Sequence, residues 1–86
     1  MAKILHPDGT HEIVHPKEGK RFSLTELQGY VGGLIELVPQ KEDYDVVVNE
    51  EGLCQNMEYN QQGSALATGH HLVGNVIILE GEERLQ

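Results

Sequence analysis

The chain has 86 residues, 38% of them hydrophobic, with no Trp, one Phe and one Cys. That length implies one domain, 1–86, near the lower limit for a single core, with a thin aliphatic interior that dimerisation would help. A formal net charge of −8 disfavours nucleic-acid binding in the usual basic-patch mode.

The first element is a hairpin over 2–15, because "AKILH" and "HEIVH" flank "PDG", a strong turn signal. A two-residue loop of Asp8 and Gly9 sets His6 opposite His11 and Ile4 opposite Ile13, which matches the apolar residues across the strands and is the preferred register. A type I turn with a bulge at Gly9 shifts that register by one. "HPKEGKRF" then reads as a polar loop. Ser23 is a good N-cap and Glu26, three residues on, completes a capping box. A helix of about 24–31 follows, with Leu24, Leu27 and Val31 on one stripe and Gly32–Gly33 as its stop. Such a short helix must be held by packing.

"LIELVP" is a strand over about 34–38, stopped by Pro39, and "QKED" is a polar turn. "YDVVVN", 44–49, is the next strand; its consecutive Val46, Val47 and Val48 predict cover on both faces and a central place in the sheet. "NEEG" is a tight reversal that a valine run cannot make for itself. Residues 53–71 are the least patterned, although "NQQGSALAT" has the form of a short helix capped by Asn60 and weakened by Gly63. A strand over 72–79 is rich in β-branched residues, with Gly74 marking a bulge or close backbone approach. The charged tail is expected to fray. The fold class is α+β: a mostly antiparallel sheet of four to five strands, with one well-marked helix packed on one face and one short, weakly marked helix.

Chemistry is sparse. Zinc needs three or four convergent ligands. His6, His11 and His15 share the hairpin, but no ligand spacing matches a known pattern, and His70 and His71 point to opposite faces if extended. No metal and no cofactor are expected. Cys54 has no base beside it in sequence, and its glycines lack the strand–loop–helix spacing of a phosphate cradle. No catalytic residue is assigned and the chain does not read as an enzyme. The lone cysteine points to a reducing compartment. "MAKILHPDGT" shows no signal-peptide pattern and no segment approaches the roughly 20 apolar residues of a membrane span. The expected location is the cytosol, with no membrane contact.

The order "LTELQGYVGGLIELVP", "VVVNEEGL", "HHLVGNVIIL" resembles a family of small proteins defined as domain of unknown function 3846 (DUF3846), over about 22–79. The chain departs from it in the amide-rich "QNMEYNQQ". Members occur in bacteriophages, plasmids and integrated elements, so the resemblance implies a mobile-element accessory protein and brings no catalytic residues.

Up to Arg21 the chain carries four bases and three acids; from Phe22 onward it carries two bases and eleven acids, a balance of −9. That acidity would attract a basic partner. The expected function is a counter-defence inhibitor that binds a host nucleic-acid-handling protein, such as a defence nuclease or effector, through Glu42, Asp43, Asp45, Glu50 and Glu51. The alternative is an oligomeric sponge for a nucleotide defence signal, using Asn60, Gln62, His70, His71 and Arg21. A structural or regulatory phage protein is the third reading. A homodimer or higher oligomer is compatible with each.

Overall fold

A computed structural model describes residues 2–40, 42–67 and 70–85. The elements are β1 (Ala2–Leu5), β2 (His11–Val14), α1 (Leu24–Val31), β3 (Ile35–Val38), β4 (Tyr44–Asn49), α2 (Gln61–Leu66) and β5 (Val76–Glu80), followed by a 3₁₀ turn, Gly81–Glu83. The fold is α+β, built on a five-stranded antiparallel sheet ordered β2-β1-β5-β4-β3.

The hairpin takes the shifted register: Leu5 faces His11 and Ile4 faces Glu12. The preferred two-residue loop fails because it would need Pro7, which has no N–H, to close the turn against Thr10. Instead His6 accepts from the Gly9 N–H at 3.1 Å and donates to the Thr10 carbonyl at 2.9 Å. Gly9 takes the left-handed conformation, φ 93°, that the bulge requires. Asp8 locks the loop by accepting from both the backbone N–H and the hydroxyl of Thr10, and those bonds hold its carboxyl below its ordinary pKa.

Helix α1 starts with a complete capping box. Ser23 Oγ accepts from the Glu26 N–H and Glu26 accepts in return from the Ser23 N–H. A second Glu26 oxygen accepts from the Lys17 N–H and so ties down the loop before the helix. Gly32, φ 82°, ends it, and the N–H groups of Gly32 and Gly33 both reach the Gln28 carbonyl. Leu27 and Val31 pack with Phe22 onto Ile4, Val47, Ile77 and Leu79. Leu24, expected on the same stripe, is 57% exposed. It shares their angular position but, as the first residue of the helix, takes no part in the core cluster.

The opposite face is covered by α2 and the segment after it. Leu5, Val38, Val46, Val48, Val76 and Ile78 pack there with Ala67 and Leu72. The valine run is thus buried on both faces, although β5 rather than β4 is the middle strand. β5 also starts later than the expected Leu72. Gly74 turns left-handed, φ 72°, and Leu72–Gly74 bonds sideways: Asn60 N–H to the Leu72 carbonyl and Gly74 N–H to the Glu58 carbonyl. The tail is anchored rather than frayed through residue 85, because Arg84 and the Leu85 N–H both bond Asp45.

Candidate functional site

"NEEG" does more than reverse the chain. Asn49 is buried at the end of β4. Its Oδ1 accepts from the Glu51 N–H at 2.7 Å, which sets the turn, while its Nδ2 donates to the Val31 carbonyl at 3.1 Å. That carbonyl is one of those a helix C-terminus leaves without an internal partner. The neighbouring Tyr30 carbonyl is met by Asn75 Nδ2 at 2.9 Å. Because this fixes the Asn75 amide, its Oδ1 accepts from His6, whose Nδ1 therefore carries a proton; His6 Nε2 lies 3.2 Å from Glu12. The "NEEG" and "GN" segments are the two struts that fasten the end of α1 to the sheet.

The acidic candidates do not form one patch. Glu42 and Asp43 precede β4 while Glu50 and Glu51 follow it, exposed at the opposite ends of a strand that is itself roughly 17 Å long. Asp45 is 4% exposed and bonded to Arg84, so it belongs to the interior and leaves the partner-binding set. Strand alternation held the signal: Asp45 shares a face with Val47, which is core.

The ligand candidates also disperse. Asn60 is completely buried; it caps α2 through the Gly63 N–H and donates to the carbonyls of Leu5 and Gly74 at 2.8 Å each. It holds three segments together and offers nothing to a ligand. Gln62 donates to the Gly9 carbonyl by the hairpin, and His70 bonds the Pro39 carbonyl at the end of β3. His71 stacks on Tyr59, with ring centres 4.6 Å apart. Arg21 lies beside the start of α1, next to Phe22 and Thr25. Among the described residues, no group of three or more His, Cys, Asp or Glu is placed to hold a metal ion, and Cys54 is exposed.

A different cluster does converge, at the end of the sheet where β3 begins and β4 stops. Glu36, Glu50, Leu53 and His71 line a depression of about 70 Å³ floored by Val48 and Leu72. Leu53 is 66% exposed, Leu34 53% and Tyr59 is also exposed. Leu34 is brought there by the Glu50 N–H, which donates to its carbonyl at 2.8 Å and continues the β3–β4 ladder. Glu51, exposed next to Glu50 in the same turn, adds to the acidic margin. The sequence offered one cue, the isolated Leu53 in "EEGLCQN"; the meeting of β3 with residues 50–59 was not legible. This surface suits contact with another macromolecule, with apolar side chains available for burial inside a negative margin.

The family model described as "Domain of unknown function (DUF3846)" matches residues 3–85. The chain belongs to this family. No curated protein and no solved structure matches it. In this DUF3846 member, the glycines of "VGG" end α1, and the asparagines of "NEEG" and "GN" bond its last carbonyls. The segments that carry the resemblance therefore build the dock of the helix.

Proposed function

We propose that this chain is an accessory protein of a phage or other mobile element that inhibits a host nucleic-acid-handling defence protein by binding it directly. The observation that carries the reading is the surface of Leu34, Leu53 and Tyr59 set among Glu36, Glu50 and Glu51. Exposed apolar side chains supply the burial that holds a complex, and the surrounding carboxylates steer toward a positive partner. A surface built to receive nucleic acid is positive, so it is complementary to this one. The mobile-element origin and the host setting rest on the family resemblance and on the acidity of the chain after Arg21. Capture of a nucleotide is the weaker reading, since Asn60 is committed to the interior and Gln62, His70, His71 and Arg21 lie on separate surfaces.

The test is capture of partners from host lysate on the immobilised protein, followed by kinetics on the purified partner. Glu50→Lys/Glu51→Lys is expected to slow association and to weaken the salt dependence, while Leu53→Ala is expected to speed dissociation. A partner that binds both variants like the wild type refutes the assignment of this surface. A tightly bound nucleotide in place of any protein partner refutes the function.

A further inference from the structure

We infer that two copies of this chain pair along the free edge of β2, joining their sheets into one antiparallel sheet across a two-fold axis. The strand order leaves β2 and β3 as the edges, and the two are finished differently. β3 runs into Pro39, which has no N–H to offer, and the Pro39 carbonyl is bonded by the His70 ring. β2 carries neither proline nor lysine between His11 and Val14. Backbone bonds in an antiparallel pair alternate along the strand. The His6–Thr10 bond closes the hairpin, so Glu12 and Val14, opposite Ile4 and Ala2, turn their backbone groups toward β1. His11 and Ile13 aim theirs outward, and the Ile13 side chain is 51% exposed. An edge left in this state is a template for a further strand.

The side chains of β2 select a second copy as that strand. A two-fold axis at Ile13 sets Ile13 against Ile13 of the second copy, Glu12 against Val14 and His11 against His15. All outward backbone groups from His11 to His15 are then engaged, and no carboxylates are opposed. Centring on Glu12 places two carboxylates directly opposite, which is unfavourable. Centring on Val14 sets Pro16 against Glu12 and takes His11 out of the ladder. On the α2 side, Ile13 lies beside Lys3, so the paired isoleucines extend a groove of about 380 Å³ lined by Leu5, Ala65 and Leu66. The acidic surface at the start of β3 belongs to the other edge, so pairing through β2 leaves both copies of it free.

Sedimentation equilibrium of the full chain is expected to give about twice its 9.6 kDa. Ile13→Cys in a Cys54→Ser background is expected to oxidise to a covalent dimer. Facing residues of a hydrogen-bonded pair have Cα atoms about 5.5 Å apart, inside the disulfide range of about 4.4–6.8 Å. Glu36→Cys in the same background, on the opposite edge, is expected to yield none. Ile13→Lys is expected to sediment as a monomer with an unchanged far-ultraviolet circular dichroism spectrum; if that variant fails to fold, the cross-link pair decides. A wild type that stays monomeric at its highest soluble concentration overturns the inference and leaves the edge to a strand from a different protein. A dimer that cross-links at residue 36 and not at 13, or that a folded Ile13→Lys leaves intact, overturns it equally.

Discussion

Replacing Asn49 by Ala removes two hydrogen bonds at once, and the structure assigns them unequal weights. The Val31 carbonyl lies at the buried end of α1 and loses its donor with no water to replace it, a loss of about 1–3 kcal/mol. The Glu51 N–H lies at the surface of the turn and recovers a water, so its share is about 0.5–1.5 kcal/mol. The sum is about 1.5–4.5 kcal/mol. In a chain this short, with a urea m-value near 1–1.5 kcal/mol/M, the unfolding midpoint should fall by about 2 M at constant m. Asn49→Asp separates the two roles. The carboxylate still accepts from Glu51 but cannot donate to Val31, and it sets negative charge against the negative end of the helix. Its folded form therefore resists ionisation: the variant is expected to lose stability at neutral pH and regain part of it on acidification, as the protonated acid recovers an O–H donor. Urea titrations at pH 7 and in the carboxylate range measure both effects. An Asn49→Ala loss below about 0.5 kcal/mol, the range of unremarkable surface changes, or an Asp variant whose deficit relative to the wild type fails to shrink on acidification, refutes the strut.

Leu27→Ala should cost about 2–5 kcal/mol, because Leu27 is 1% exposed against Val47 and Ile77, whereas Leu24→Ala should stay within about 0.5 kcal/mol; equal losses in urea titration would contradict the placement of α1. Gly63→Ala should destabilise, although helix propensity alone favours it by about 1 kcal/mol. A Cβ there would stand 2.5 Å from Val76 Cγ2, and overpacking costs about 1–3 kcal/mol; in a Val76→Ala background the loss should shrink without vanishing, because the Cβ of residue 76 itself would still stand 2.8 Å away, and a double-mutant cycle reads the difference directly. The Glu26 carboxyl is held below its ordinary value of 4.5 by its bonds to the Ser23 and Lys17 N–H groups. Its folded-state pKa is depressed, so its contribution is present above 4.5 and is lost as pH falls through and below that value. The stability difference between wild type and Glu26→Gln should shrink on acidification from pH 7 to 3, and a difference that grows would reverse the sign of the argument.

Where a residue's partners lie within about four positions, the pattern of residues was enough. Ser23 with Glu26, the two glycines after Val31, Asn60 before α2 and the alternation of β4 each state a local hydrogen-bond or burial rule, and the elements follow from them. The hairpin already exceeded that range, since its register depended on Pro7 lacking a donor for the closing pair. The three asparagines exceed it further: Asn49, Asn75 and Asn60 reach carbonyls 18, 45 and up to 55 residues away. In the sequence they look like turn formers and exposed amides. Packing two covered sheet faces in so small a chain leaves helix ends and strand ends buried, and their backbone carbonyls must be met by whatever donor the tertiary fold brings close. The same closure turned Asp45 inward to Arg84 and gathered Leu34, Leu53 and Tyr59 beside Glu36 and Glu50. Those encounters have no local signature, because they depend on strand order, and strand order is settled only when the whole sheet closes.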